Sequence, residues 1–115
     1  MNRDLVTVKD IELAATTLME FTHGFDWASF TADYKTQCAC IQQIQGMGEA
    51  VKRLSKELRS QHPEIPWAAI AGMRDNLIHG YDNVDIEQVW KVASRQAPAL
   101  LSLIIPLVQE LSETQ

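Results

Sequence analysis

Arg74, Asp75, His79 and Tyr81 lie within eight consecutive residues, and two of them, Arg74 and His79, could together cleave a phosphodiester. Arg74 is positively charged at any working pH, and its planar guanidinium matches the oxygens of a phosphate. The imidazole of His79 can both accept and donate a proton near neutral pH. If the imidazole removes the proton of a ribose 2′-hydroxyl beside that guanidinium, the RNA backbone could be cleaved without a metal ion. Alternatively, Arg74 and His79 are solvated side chains at an exposed helix end.

The spacing of these residues limits how they could cooperate. On an ideal helix Arg74 and His79 are ~140° apart around the axis and ~7.5 Å apart along it, so the long arginine side chain must reach around toward the ring. Asp75 and His79 share one helix face, so the carboxylate could accept from the imidazole and fix its tautomer. A single imidazole is a weak catalyst, because acid and base need separate groups. A two-fold dimer would supply two histidines and two arginines around one phosphate.

The composition is that of one ordinary globular domain, residues 1–115. Of the 115 residues 46% are apolar and 22% are charged, which argues against disorder. The formal net charge of −5 argues against a protein that coats nucleic acid non-specifically, although it permits a local basic cleft. The only cysteines, Cys38 and Cys40, face different directions on a helix, so we expect free thiols in a reducing cytoplasm and no metal site.

Two segments bear on the location of the protein. No basic-then-apolar leader opens the chain, so we expect no secretion. The most apolar run, Ala97 to Val108, is too short to span a bilayer and is interpreted as a core helix. The sequence therefore predicts a cytoplasmic protein without membrane association.

The hydrophobic spacing is helical almost throughout and predicts an all-α bundle of four to five helices. A first helix should end near His23-Gly24, where glycine provides the stop, and Asp26 should cap a short turn. A long helix is expected from about Asp33 to about Ser60, with one seam of residues three and four apart. This seam comprises Tyr34, Cys38, Ile41, Ile44, Gly48, Val51, Leu54 and Leu58.

The second half of the chain contains clear breaks between helices. The segment 62–66, with two prolines, should end the long helix, and Pro66 should open the helix that carries Arg74. Gly80 should end that helix and Asp85 should cap the next. Pro98 either opens the last helix or bends a continuous one.

Several residues suggest how the helices pack. Gly46 and Gly48 each cost roughly 1 kcal/mol of helix propensity relative to alanine, which favours close approach of another helix, although a local break is the alternative. The last helix has an unusually wide apolar face, which a homodimer or a well-filled monomer core could bury.

The remaining polar and aromatic candidates have plain structural interpretations. A charged stretch on the long helix should be a solvated face with a Glu49–Arg53 pair, although some of its cations could line a nucleic-acid groove. This stretch comprises Glu49, Lys52, Arg53, Lys56 and Arg59. We expect His23 and His62 to be exposed and inert. The three tryptophans, Trp27, Trp67 and Trp90, are interpreted as core or interface anchors.

The eight residues from Arg74 to Tyr81, which we call the octet, have the form RxxxxHxY. An ordered series of motifs around the octet resembles the HepT-like family of HEPN domains. The resemblance covers nearly the whole chain and is most specific from Gly48 to Trp90. The series comprises Gly48-Glu49-Ala50-Val51, Leu54-Ser55, Pro63-Glu64-Ile65-Pro66-Trp67, Ile70-Ala71-Gly72-Met73-Arg74, Val84-Asp85-Ile86 and Val89-Trp90.

The resemblance implies a fold, an activity and a regulatory partner. It implies an all-α HEPN homodimer whose two RxxxxH motifs meet in a cleft, and a metal-independent ribonuclease toxin of a type II-like toxin–antitoxin pair. Arg74 and His79 match the catalytic pair, and Asp75 stands at the polar position after the arginine. Tyr81 matches the tyrosine that a cognate minimal nucleotidyltransferase antitoxin modifies with AMP. No cofactor is implied, and Asn76 stands where relatives often carry a basic residue.

Two other interpretations stay open at this point. In one, the protein is a non-catalytic helical partner that presents Tyr81 or a nucleotide to a nucleotidyltransferase, and Arg74 and His79 only dock that partner. In the other, the protein is a dimeric bundle with an inert octet.

Overall fold

The computed structural model describes residues 3–77 and 84–114, and these residues confirm the all-α prediction. Four long helical rods form the bundle in this part of the chain; two short helices lie between rods, and the last rod consists of three successive pieces. The helices are α1 (Arg3–Phe21), α2 (Trp27–Thr31), α3 (Tyr34–Lys52), α4 (Lys56–Gln61), α5 (Trp67–Leu77), α6 (Ile86–Lys91), a π-helical turn (Val92–Gln96) and α7 (Ala97–Glu113).

The first two helices end and begin where the sequence predicts. Beyond the last turn of α1, Gly24 adopts a φ of +81°, a conformation that is accessible to glycine at little cost. Asp26 then caps α2 in a reciprocal arrangement, because its carboxylate accepts from the Ser29 N–H and the Ser29 hydroxyl accepts from the Asp26 N–H. This turn places Phe30, which is fully buried, in the core.

The predicted long helix from Asp33 to Ser60 is wrong in one respect, because the chain breaks after Lys52 and restarts at Lys56. Ser55 causes the restart, since its hydroxyl accepts from the Leu58 N–H as an N-cap. Asp4 of α1 holds the break between α3 and α4 in place, because its carboxylate accepts from the Ser55 N–H at 3.0 Å and from the Ser55 hydroxyl at 2.6 Å.

The predicted seam of α3 is confirmed in its second half, where Ile44 and Val51 are fully buried. It is wrong at its start, because Tyr34 and Cys38 are exposed and Cys40 is buried instead. Because α1 and α5 both pack on α3, its buried surface is wider than a single seam.

Gly48 confirms the prediction of a close helix approach, and Gly46 does not. A Cβ atom at Gly48 would lie 3.3 Å from the Ala71 carbonyl oxygen and 3.4 Å from that of Ile70, both on α5. At Gly46 a Cβ atom would meet nothing within 4 Å. The backbone of α5 therefore rests directly on α3 at one glycine.

The last rod is one continuous helix with a π-helical turn just before Pro98, so Pro98 lies within a continuous helix and does not open a separate one. Pro98 has no N–H to donate to the carbonyl of Ser94, and the wider turn over Val92–Gln96 accommodates that loss. The Ala97 N–H donates to the Val92 carbonyl across this turn, and the Ser94 hydroxyl donates to the Trp90 carbonyl at 2.6 Å.

This rod, Ile86–Glu113, is longer than the apolar run that the sequence singled out. Its 28 residues are long and apolar enough to cross a membrane by length and composition alone, a property that core helices of soluble proteins share. Its buried side chains pack in the bundle core with α1, and they include Val89, Ala93, Leu100 and Ile104. The interpretation as a core helix is confirmed for these positions.

Candidate active site

Arg74 lies in the last turn of α5 with its side chain 55% exposed. It follows buried Ile70 by four residues and precedes buried Leu77 by three, so it emerges at the edge of the buried face. Its Nη1 atom is 4.0 Å from Oδ1 of Asp75, whose side chain is 83% exposed. An ion pair this long and this exposed contributes little, so Asp75 holds the guanidinium only weakly.

The position of Arg74 depends on how α5 is held. One face of the helix rests on α3 at Gly48, and Ile70 and Leu77 are each 1% exposed. At its start, the Trp67 indole N–H donates to the His62 carbonyl at 3.1 Å. These contacts fix both ends of α5.

His79 and Tyr81 lie outside the described residues, so their predicted convergence with Arg74, and the contact between Asp75 and His79, stay predictions. The structure does show where their segment leaves and rejoins the bundle. The Asp85 N–H donates to the Leu77 carbonyl at 2.7 Å, and the Asp85 side chain accepts from the Gln88 N–H as the predicted N-cap of α6. The two ends of the segment therefore meet beside the last turn of α5.

An apolar groove runs along α5 toward this end. It separates α5 from α7 and has a volume of about 290 Å³; we call it the α5–α7 groove. Its lining includes Pro66 just before α5, Ala69 and Met73 from α5, and Ala99, Leu100 and Leu103 from α7. A smaller hollow of about 110 Å³ shares Ala69 and Met73 with the groove and extends it to Leu77. The groove therefore reaches Met73, next to Arg74, and the hollow beyond it is lined in part by the polar side chains of Gln88 and Gln96.

Of the two histidines outside the octet, one lies in an environment different from the predicted one. His62 was expected to be exposed and inert, yet its side chain is only 16% exposed and lies between two carboxylates. His23 is exposed, as predicted. The prediction was wrong for His62 because one of its partners, Glu110, is distant in sequence.

The cysteines show no catalytic environment. Cys40 is fully buried, and burial raises the pKa of its thiol to about 11, so the thiolate is scarce at neutral pH. Cys38 is exposed on the same helix, which confirms that the two thiols face different directions. Within residues 3–77 and 84–114, no three His, Cys, Asp or Glu side chains are arranged to hold a metal ion.

The charged stretch on α3 is a solvated face, with pairs different from the predicted one. Glu49 pairs with Lys52 at 3.6 Å, and Arg53 pairs with Asp10 of α1 at 3.6 Å. The predicted Glu49–Arg53 pair is therefore wrong, because α1 offers Arg53 a carboxylate across the helix interface.

The tryptophans are structural anchors to different degrees. Trp67 is 7% exposed and belongs to the core. Trp90 is half-buried and packs against Phe30, with ring centroids 5.0 Å apart. Trp27 covers Trp90 at 6.5 Å but is itself 44% exposed. The anchor interpretation is thus confirmed for Trp67 and Trp90.

Comparison with known proteins gives a consistent family. The family described as "Ribonuclease HepT-like" matches residues 11–107. A relative from Thermococcus cleftensis, named "Probable ribonuclease HepT", is 40% identical over 93 residues, which are 81% of this chain and 84% of the relative.

Two further relatives carry names that begin "Putative RNase". One, from Methanocaldococcus jannaschii, is 34% identical over 84% of this chain and 83% of its own length. The other, from Caldanaerobacter subterraneus subsp. tengcongensis, is 36% identical over 81% of this chain and 83% of its own length. No solved structure matches the chain.

Proposed function

This chain belongs to the HepT-like ribonuclease family, and on that premise we propose that it is a metal-independent endoribonuclease acting through Arg74 and His79. The observation that carries the proposal is the exposed guanidinium of Arg74, which α5 holds at the edge of the core and which, among the described residues, forms one long ion pair with Asp75. A cation in this position can bind a phosphate without first breaking a strong ion pair.

The proposed reaction is an internal transesterification. His79 removes the proton of a ribose 2′-hydroxyl, and that oxygen attacks the adjacent phosphorus. The bond from phosphorus to the 5′-oxygen breaks, and the leaving oxygen takes a proton from His79 of a second copy of the protein. The products are a 2′,3′-cyclic phosphate and a 5′-hydroxyl. Arg74 stabilises the charge that develops on the non-bridging oxygens.

We further propose that the active form is a homodimer in which two copies of the site meet. The α5–α7 groove supports this proposal, because it presents apolar side chains to solvent and reaches Met73, next to Arg74. Surfaces of this kind, depleted of charge, are typical of the centre of protein interfaces.

The dimer is tested by placing a charge in the groove. Ala69 is exposed and lines the groove, so Ala69→Glu should fold yet remain monomeric in light scattering after gel filtration. Leu13→Glu is the matched control, because Leu13 is 66% exposed on α1, and it should remain dimeric. A dimeric Ala69→Glu protein would show that the groove is not the interface.

The catalytic proposal is tested with purified protein and a synthetic RNA. We expect His79→Ala and Arg74→Ala to lower the cleavage rate, by about 10²–10⁴-fold for the histidine. Arg53→Ala is the control for loss of one cation, since the Arg53 side chain is 57% exposed and that of Arg74 is 55%. Excess chelator should change nothing. Failure of the wild-type protein to cut RNA, or equal effects of the two arginine variants, would refute the proposal.

We also propose that the protein is the toxin of a toxin–antitoxin pair, neutralised when a minimal nucleotidyltransferase adds AMP to Tyr81. In this step the Tyr81 oxygen attacks the α-phosphorus of ATP and pyrophosphate leaves. Tyr81 follows His79 by two residues, and the Leu77–Asp85 hydrogen bond closes the segment that carries both. An added phosphate near Arg74 would neutralise its charge and repel RNA.

The modification is tested by co-expression with a minimal nucleotidyltransferase from the same genome, followed by intact-mass measurement. We expect a gain of adenylate mass and loss of RNA cleavage, both absent in Tyr81→Phe. Tyr34 is the only other tyrosine and is 78% exposed, so Tyr34→Phe is a matched control that should still be modified. Modification of Tyr81→Phe would exclude Tyr81 as the acceptor.

A further inference from the structure

The small hollow beside the last turn of α5 presents two glutamine amides on otherwise apolar walls. Its volume is about 110 Å³, and we call it the glutamine hollow. It opens to solvent, because two of the residues that line it, Ala69 and Gln96, are exposed. The described side chains that line it are Ala69, Met73, Leu77, Gln88, Val92 and Gln96.

One capping residue joins the two sides of the glutamine hollow. The Asp85 N–H donates to the Leu77 carbonyl at 2.7 Å, and the Asp85 carboxylate accepts from the Gln88 N–H at 3.1 Å. Asp85 thereby places the end of α5 against the first turn of α6. The hollow is therefore formed by contacts within the chain itself, as ligand sites usually are.

The two amides are the polar groups that a ligand in the hollow would meet. In the part of the chain that the structure describes, the side chains of Gln88 and Gln96 form no hydrogen bond. Each amide offers N–H donors and a carbonyl acceptor side by side. The described side chains that line the hollow carry no charge. The hollow therefore suits a neutral, planar group with matching donors and acceptors better than it suits a phosphate.

The glutamine hollow lies next to the residue proposed to bind the phosphate. Arg74 precedes Leu77 by three residues, so the two side chains project about 60° apart around the axis of α5 and less than one turn apart along it. The guanidinium of Arg74 is exposed. Because one sugar joins a base to its phosphate, a nucleotide held by Arg74 has its base close to the hollow.

A second copy of the protein is the other occupant to consider, because the hollow adjoins the α5–α7 groove. A protein surface pressed onto the hollow would bury both amides, and each amide left unpaired would carry its full desolvation cost. The edge of a base pairs them instead. Adenine is the base that suits an amide best, because its N6 amino group donates to the amide oxygen while its N7 accepts from the amide N–H. Single-stranded RNA presents such edges freely.

We propose that the glutamine hollow is a base subsite, in which Gln88 and Gln96 bind the edge of an unpaired adenine whose phosphate lies on Arg74. This inference rests on the proposed ribonuclease function and adds a substrate class to it, single-stranded RNA with an adenine beside the cleaved bond. Met73 and Leu77 supply apolar walls against which the ring packs. The two glutamines determine specificity and take no part in the proton transfers.

The subsite is tested by binding, so that the result does not depend on cleavage. Fluorescence anisotropy compares two labelled 2′-O-methyl octamers, one of uridine alone and one with a single central adenosine; without a free 2′-hydroxyl neither can undergo the proposed reaction. We expect the wild-type protein to bind the adenine octamer about tenfold more tightly, the discrimination typical of one bidentate contact. Gln88→Leu and Gln96→Leu should each reduce this ratio, and the double variant should bind both octamers with equal affinity.

The matched control is Gln109→Leu, because Gln109 is an exposed glutamine of α7 that does not line the hollow. It should keep the wild-type ratio. Leucine is a strong helix former, so all of these variants are expected to fold.

The failure of the subsite and the failure of the ribonuclease function give different results. Equal binding of the two octamers by the wild-type protein would overturn the subsite, whether or not that protein cuts RNA. An adenine preference that survives in the double variant would overturn it as well. If the double variant changes the monomer–dimer equilibrium in light scattering and keeps the preference, the hollow belongs to an interface between copies. If the preference depends on the glutamines but RNA with a free 2′-hydroxyl is not cut, the subsite stands and the ribonuclease function fails.

Discussion

Separate replacement of Gly48 and Gly46 by alanine tests whether α3 and α5, the helix that carries Arg74, are in close contact at Gly48. Both glycines lie inside α3, two residues apart, so the two changes alter helix propensity in the same way. Their surroundings differ, because a Cβ at Gly48 meets two carbonyl oxygens of α5 at 3.3 and 3.4 Å, and a Cβ at Gly46 meets nothing.

The expected magnitudes follow from this difference. Alanine in place of a helical glycine stabilises by about 1 kcal/mol, and this full gain is expected for Gly46→Ala. At Gly48 the methyl group must displace a helix backbone by a few tenths of an ångström, and such overpacking costs about 1–3 kcal/mol. We therefore expect Gly48→Ala to be about 1 kcal/mol less stable than wild type. The two variants should differ by about 2 kcal/mol.

The assay is thermal and urea unfolding of the three proteins side by side. For a domain of this size, a difference of 2 kcal/mol corresponds to a separation of about 8 °C in Tm. Gly72→Ala is an internal control, because Gly72 lies on α5 two residues before Arg74 and a Cβ there would meet nothing within 4 Å. It should be stabilised like Gly46→Ala. Equal stabilisation at Gly46 and Gly48 would refute the close-contact argument.

Two further predictions concern single side chains. In the native protein a thiol reagent should label exposed Cys38 rapidly and reach Cys40 only after unfolding, because Cys40 is buried and its pKa is raised to about 11; two equally fast thiols would contradict this. Asp4→Ala should lower the free energy of unfolding by about 1 kcal/mol, because the Ser55 N–H and hydroxyl lose their acceptor. Asp10→Ala, which removes only the exposed pair with Arg53, should cost less than about 0.5 kcal/mol, and a reversed order in urea unfolding would exclude Asp4 as the anchor.

The features that sequence predicted best are those set by neighbouring residues. Asp26 and Asp85 cap helices because each carboxylate accepts from the N–H three residues later, a contact between residues that are close in sequence. Gly24 ends the α1 segment for a similarly local reason. Such signals need no knowledge of the rest of the fold, and all three predictions are confirmed.

The features that sequence missed depend on contacts between distant residues. The break at Ser55 is fixed by Asp4, which is 51 residues away in the sequence. The environment of His62 depends on Glu110, and the partner of Arg53 is Asp10. Hydrophobic spacing alone favours an uninterrupted helix across Ser55, because Leu54 and Leu58 keep the helical period. The folded bundle overrides that preference, because it places the Asp4 carboxylate next to Ser55 at the break between α3 and α4.

The same distinction applies to the candidate site. Sequence predicted which residue types could act and the order in which they occur, and it placed Arg74 on a helix that Pro66 opens. It could not supply the Leu77–Asp85 hydrogen bond, which brings together residues eight positions apart and returns the chain to the end of α5. Arg74 thus depends on a contact near the middle of its helix, and the segment carrying His79 depends on a contact at the end of that helix. A variant that moves α5 should therefore displace Arg74 together with the Leu77 carbonyl to which the Asp85 N–H donates.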